Sequence, residues 1–253
     1  MRIRVIDIET TGTEPDTAKI CEIGWCDVVA TEIQEDFLEG VKRPGGWIVD
    51  GLPRSVLVNP GVPIPPEVSA IHHIIDEDVV GAAQFREVVA DIFQADGLDG
   101  FAAHNAKFER AFIPDEVTGG KPWVCTYKCS LRLWKDAPSH SNQALRYWRT
   151  PDGLDRAVAN VAHRAGPDAY VTAFHLRDML NGGALVEHLV KRSTQPAPLI
   201  KCHIGKERGK LWSEVDSGFL HWLLDKDFDE DVKFTARHWI DEHQRQATPE
   251  TTV

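Results

Sequence analysis

The chain opens on two runs rich in β-branched and aliphatic residues, Arg2-Ile-Arg-Val-Ile-Asp-Ile-Glu9 and residues 19–30, with a polar turn over 10–17 between them. Runs of this kind bounded by turn residues pair as neighbouring strands of a sheet. Further along the chain, helical and strand periods alternate. Residues 84–94 put Phe85, Val88, Val89, Ile92 and Phe93 on one helical face, and 98–103 is a short apolar run that reads as a buried strand. A helix through Phe108 and Phe112 comes next, with Asn105 at its N-cap position. Residues 123–125 read as a short strand, and 130–134 and 142–148 as helices. A longer helix over 168–181 is stopped by Gly182-Gly183. Strands that come early and then alternate with helices predict an α/β fold.

Residues 31–62 break that rhythm. Gly45-Gly46, Gly51, Pro53 and Pro60 predict irregular strands and a long loop, with 31–58 as an expansion. Pro63-Ile-Pro-Pro-Glu67 then opens a short helix carrying Val68 and Ile71. At 253 residues the chain exceeds a domain of ~100–200 residues, which predicts a main domain plus an appendage. The main domain is expected over 1–182, a helix end and linker over 183–198, and a tail over 247–253. Within the linker, residues 191–198 (KRSTQPAP) are polar with two prolines. A small α/β domain over 199–246 is expected to hold a short strand, a Gly-rich turn and two helices. Its core would come from Trp212, Phe219, Trp222, Leu223, Trp239 and Ile240.

The classes excluded are clear. With 42% apolar and 26% charged residues the composition is globular, and no apolar run approaches the ~18 residues of a membrane helix. The charged N-terminus does not read as a signal peptide, so a cytoplasmic setting and no membrane partner are expected. Five cysteines, odd in number and without a CxxC pair, point to buried thiols rather than a zinc knuckle or a disulfide framework. The balance of 28 basic against 39 acidic residues gives −11. That limits how a nucleic acid could be gripped, because non-specific affinity comes from basic side chains on phosphates.

Three constellations could carry chemistry. Asp7 and Glu9, two apart on a strand, project from one face near its C-terminal end, where open α/β sheets place their sites. Carboxylates so close repel unless a cation lies between them, and hard oxygen ligands suit Mg²⁺ or Mn²⁺. Alone, such a pair equally describes a solvated strand end. His104-Asn-Ala-Lys-Phe-Glu109 runs off a strand into a helix, where Glu109 could equally be a first-turn acid favoured by the macrodipole. In His163-Arg-Ala-Gly-Pro-Asp168, Pro167 fits a first helical position, which puts Asp168 in the first turn and His163 in the loop before it. A histidine there can act as a general base, and taken singly it can equally be a surface residue.

In combination and order, these three segments resemble the motifs of the DEDDh family of 3′–5′ exonucleases, which have a ribonuclease H-like fold. The segments Ile64-Pro-Pro-Glu-Val-Ser-Ala-Ile-His-His-Ile74, Cys125-Thr-Tyr-Lys128, Ser141-Asn-Gln-Ala-Leu145 and Ile204-Gly-Lys-Glu-Arg-Gly-Lys210 extend the likeness to exodeoxyribonuclease X-like proteins. The resemblance implies that Asp7, Glu9, Glu109 and Asp168 hold two divalent metals, Mg²⁺ or Mn²⁺. His163 would take the proton as a metal-activated water attacks the terminal phosphodiester. It further implies that Thr10, Thr11, Gly12, His72 and Asn105 bind the terminal nucleotide. The partner implied is a nucleic acid with a 3′ end, DNA in first place, from which mononucleotides are released. Two rivals remain: an exoribonuclease, and a non-catalytic module that binds nucleic-acid ends. Glu109 departs from the family, whose second motif ends in Asp. The Gly166-Pro167 pair departs too, and would leave the His163 loop free to move. Gly205 to Lys210 is no phosphate loop, because Leu211 stands where Ser or Thr is needed.

Overall fold

A computed structural model describes residues 1–36 and 41–247. The first strands are β1 (Arg2–Thr10) and β2 (Ile20–Ala30), then a two-stranded ribbon of β3 (Ile33–Asp36) and β4 (Val41–Pro44), then β5 (Trp47–Leu57). Helices α1 (Pro66–His72), α2 (Asp76–Val79) and α3 (Phe85–Phe93) lead to β6 (Gly100–Ala103). Next come α4 (Ala106–Phe112), α5 (Asp115–Thr118), β7 (Trp123–Cys125) and α6 (Thr126–Leu133). The chain continues through α7 (Asn142–Arg149), α8 (Arg156–Ala159), α9 (Ala165–Asn181) and α10 (Val186–Thr194). It ends in α11 (Ser217–Leu224) and α12 (Glu230–Ala247).

The α/β expectation holds. The main sheet is mixed, in the order β5-β2-β1-β6-β7. β1 is antiparallel to β2 and parallel to β6, which is parallel to β7. One sheet face packs Ile6, Ile8 and Ile23 against Ile92 and Phe93 of α3, with Phe101 and Trp123 stacked at 5.2 Å in the same core. The other face receives α9, which lies over β1, β2 and β5.

Residues 31–62 differ from expectation. The segment contains an eleven-residue sheet strand, β5, paired along β2 with one register shift between Trp25 and Asp27. Pro53 is tolerated because β5 is an edge strand, and Gly51 takes the left-handed φ of +76°. Residues 37–40 and 248–253 of the expected expansion and tail lie outside the described residues. The short helix α1 forms as expected, yet its buried residue is His72 and Ile71 is exposed. The polar stretch from Lys191 does not leave the helix at once: α10 continues to Thr194, where Ser193 Oγ donates back to the Leu189 carbonyl at 2.7 Å.

Among the described residues two compact units result: 1–36 and 41–129 with 136–193, and 130–135 with 194–247. The second has its own core of Cys202, Trp212, Val215, Leu220, Leu223, Val232, Ala236 and Ile240. The strand expected there is a single bridge, Lys201 to Leu211, and Trp222, expected in the core, is exposed. All five cysteines are free and buried.

Candidate active site

β1 ends in a register shift between Glu9 and Thr10, so the strand leaves the ladder just past its two carboxylates. Asp7 lies opposite Gly24 of β2, and Glu9 opposite Glu22. α9 crosses this face with its first turn directly on Gly24: a Cβ there would stand 2.0 Å from the Ala165 carbonyl carbon. Only glycine allows the helix to approach so closely. That approach delivers Asp168, and Asp7, Glu9 and Asp168 each place a carboxylate oxygen within 4.8 Å of the others.

The start of α9 explains one departure from expectation. The helix begins at Ala165, so Pro167 is its third residue and not its first. Glu22 reaches across from β2 to accept the Ala165 N–H at 3.0 Å and both arms of Arg164 at 2.9 and 2.8 Å. This carboxylate satisfies a free helix-end donor from another element, which local sequence does not reveal. Pro167 costs nothing in a first turn, where its missing N–H would have no helical partner. Gly166 lies inside the helix, where a Cβ would crowd Ser55 at 3.3 Å.

Asp168 is held on both oxygens. Gln143 Nε2 donates to Oδ1 at 2.7 Å and the His163 backbone N–H donates to Oδ2 at 2.7 Å. His163 itself has φ +58°, a left-handed conformation uncommon for a non-glycine residue, and its side chain is exposed. Glu109, on α4, is buried, and its Oε2 has no hydrogen-bond partner among the described residues. It stands outside the trio, yet its charge raises Asp7 and the charge of Glu9 raises it in turn.

Burial and mutual repulsion raise the pKa values of Asp7, Glu9 and Glu109. Burial pushes Glu9 up to about 8, with Asp168 and Glu22 adding to it and Arg164 opposing. Burial likewise pushes Glu109 to about 8, partly offset by a backbone hydrogen bond and reinforced by Glu9. Asp7 lies well above the usual carboxylate range through burial, then the charges of Asp168, Glu109, Glu9 and Glu22. Half-buried oxygen-only donors with a raised proton affinity, beside a buried and orphaned one, fit a hard divalent cation.

The expected substrate residues fall into two sets. Thr10 Oγ1 donates to the Gly12 carbonyl at 2.6 Å, and Thr11 Oγ1 accepts the Lys19 N–H at 3.0 Å. Both hydroxyls therefore close the turn after β1. His72 is buried: Nδ1 accepts from Ile74 N–H at 3.0 Å, leaving Nε2 toward Cys21 Sγ at 3.8 Å. Burial lowers its pKa, and a hydrogen bond with the Thr10 backbone opposes that shift and ties the ring to the turn. Asn105 is exposed at the start of α4 and makes no cap bond, and Gly12 is half-buried. His104 is structural: Nε2 meets the His140 carbonyl at 2.8 Å and Nδ1 meets Thr126 Oγ1 at 3.0 Å. Burial drives its pKa down to about 3, so it stays neutral.

Sequence reasoning missed Gly24, Glu22, Arg164 and Gln143. A glycine inside the strand run 20–30 was the one readable signal, since glycine in a strand marks a close backbone approach.

The chain is similar to known proteins along most of its length. Residues 5–174 match the family described as Exonuclease. Exodeoxyribonuclease 10 of Escherichia coli (strain K12) is 32% identical over 250 residues, covering 94% of this chain and 99% of its own. The DNA polymerase III subunit epsilon of Treponema pallidum (strain Nichols) is 29% identical over 175 residues, covering 65% of this chain and 70% of its own. Among solved structures, Exonuclease X in complex with 5′ overhanging duplex DNA superposes with a TM-score of 0.55 at 31% identity, covering 76% of this chain and 99% of that one.

Proposed function

We propose a reaction for this chain from one premise: it belongs to the exonuclease family, in the DEDDh group of 3′–5′ exonucleases with a ribonuclease H-like fold. The reaction is hydrolysis of the terminal phosphodiester at a DNA 3′ end, releasing a nucleoside 5′-monophosphate. The observation that carries it is the convergence of Asp7, Glu9 and Asp168 within 4.8 Å, beside a buried Glu109 with an unpartnered oxygen. DNA is the substrate because the relative aligned along nearly the full chain is an exodeoxyribonuclease.

Asp7, Glu9, Glu109 and Asp168 would hold two ions, Mg²⁺ or Mn²⁺. Bound there, these ions supply activation of the attacking water and charge stabilisation at the leaving 3′ oxygen. The protein does the rest. Gln143 and the His163 amide fix Asp168. The His163 imidazole, exposed on its loop, takes the proton from the attacking water. Thr10, Thr11 and Gly12 present backbone groups of a closed turn to the terminal nucleotide, with Asn105 facing it from α4. His72 keeps that turn in place, a positioning role behind the contact surface.

The test is a time course on 3′- and 5′-labelled DNA and RNA oligomers with Mg²⁺ or Mn²⁺. Stepwise loss of the 3′ label from DNA is expected, abolished by EDTA and by Asp7→Ala. Digestion in EDTA, or undiminished digestion by the Asp7→Ala protein, would refute the metal site. Faster digestion of RNA would transfer the activity to that substrate.

A further inference from the structure

The small unit carries a surface that the hydrolytic site does not use. Trp222, on α11, is 43% exposed although α11 buries Leu220 and Leu223 behind it. Its indole is stacked on Phe219 at 5.1 Å and 29°, and Phe228 meets it edge-on at 5.8 Å. Two lysines sit on this cluster: Lys206 Nζ lies 6.0 Å from the Phe219 ring centre and Lys226 Nζ 6.0 Å from that of Trp222. The loop that brings Lys206 there needs Gly205, at φ +48°, where a Cβ would touch Phe219 Cζ at 3.6 Å. Over residues 201–210 the chain sets Lys201, Lys206, Arg208 and Lys210 against one acid, Glu207, which is paired with Lys210 at 2.6 Å.

We propose that this aromatic ledge is a binding site for single-stranded DNA, independent of a 3′ end. The indole is 43% exposed, and the ammonium groups of Lys226 and Lys206, which lie over the Trp222 and Phe219 rings, are on flexible stems that swing aside to the flanking phosphates when an unstacked base takes their place. A duplex keeps its base faces covered and cannot use such a platform. A hydrophobic peptide would meet charged lysines at the rim instead of apolar surface. Asp225 and Asp227 flank Lys226 in sequence and dilute its field. Stacking therefore carries the affinity, and the lysines contribute a modest salt dependence. The site goes beyond the proposed hydrolysis, since it needs neither the carboxylates nor a strand terminus.

Closed circular single-stranded DNA separates the two, because it has no end for the hydrolytic site. Binding of the full-length protein to such circles is measured in EDTA by quenching of intrinsic tryptophan fluorescence and by gel retardation across salt concentrations. Trp222→Ala is expected to weaken binding about five- to a hundred-fold, and Trp222→Phe to retain most of it. Lys206→Ala with Lys226→Ala should flatten the slope of log K against log salt by about 1.4, from ~0.7 per phosphate contact. Tyr147→Ala, which removes an exposed aromatic from the other unit, should leave binding unchanged. A thermal melt checks that each variant is folded. The proposal is overturned if wild-type protein does not bind circles, or if Trp222→Ala binds them as tightly as wild type. Continued digestion of linear strands in that case would leave the hydrolytic reading standing.

Discussion

Gly24→Ala tests the argument that the site is set by a helix pressed onto a strand. The added methyl group would lie 2.0 Å from the Ala165 carbonyl carbon, 2.2 Å from its oxygen and 2.2 Å from the Gly166 nitrogen. These are backbone atoms, so no side-chain rotation relieves the overlap. Against an ordinary contact of about 3.4 Å, the first turn of α9 must retreat by about 1.4 Å. Asp168 sits in that turn and would leave Asp7 and Glu9 by a comparable distance. Mg²⁺ requires near-ideal octahedral geometry, and catalytic groups displaced by ~1 Å lose roughly a hundredfold in rate. The retreat also strains the Glu22 bonds to Arg164 and Ala165, and overpacking of this kind costs about 1–3 kcal/mol. The expected outcome is a folded protein with a lower melting temperature, a kcat on single-stranded DNA reduced at least about a hundredfold, and weakened Mn²⁺ binding by calorimetry. A folded Gly24→Ala protein with kcat within threefold of wild type would refute the claim that this approach positions Asp168.

The same geometry sets three further outcomes. Glu9 and Glu109, both near 8 in the fold against an ordinary 4.5, bind protons more tightly folded than unfolded. Their contribution is therefore complete below about pH 4.5 and is lost as pH rises toward 8, so in EDTA the melting temperature should fall by on the order of 5–10 °C between pH 5 and 8. Added Mn²⁺ should reverse that trend and release protons, read by calorimetry in two buffers of different ionisation enthalpy; a flat EDTA profile would contradict the burial of these carboxylates. Glu109→Asp shortens the buried acid toward the family's usual residue and should keep or raise the rate with Mg²⁺ relative to Mn²⁺. Loss of activity with both metals would mean that the site has adjusted around the longer side chain. Arg164→Ala strands Glu22, whose side chain is only 1% exposed, while Arg164 is 34% exposed. A loss of about 2 kcal/mol by denaturant unfolding is expected, below the ~3–5 of a fully buried pair, and no change would mean that Ala165 N–H alone satisfies the carboxylate.

The catalytic reading of this chain is legible because its signals are short and directional. Asp7 and Glu9 are two apart on a strand, which fixes a shared face without knowledge of anything else. Glu109 and Asp168 each lie a few residues inside a helix that comes after a recognisable segment. Local sequence does not reveal the contacts that bring those faces together. Glu22 is an ordinary alternating strand acid until α9 arrives, when it caps a helix that starts 143 residues later. For that reason local rules place the start of α9 too late, at Pro167. β5 is obscured by Gly51 and Pro53, residues that exclude a central strand but not an edge one.

The acidity of the chain takes on a different sense once the site is placed. Three of its carboxylates converge, with Glu109 acting on them electrostatically, and burial raises the pKa values of Asp7, Glu9 and Glu109. Two divalent ions would offset those four charges, while the remaining surface stays acidic and gains little from long-range attraction to phosphate. An acidic nuclease must then hold its substrate through short-range features: ions bound at the strand end and rings on which bases stack. The exposed Trp222, stacked on Phe219 with Lys226 and Lys206 over the two rings, supplies the second kind. The two are separable by salt. Binding to closed circles should depend weakly on ionic strength and not at all on divalent ions, whereas digestion of ends should require the ions throughout. If circle binding instead collapsed steeply with salt, the grip would come from a basic track and not from the ledge, and stacking would lose its place as the main source of affinity.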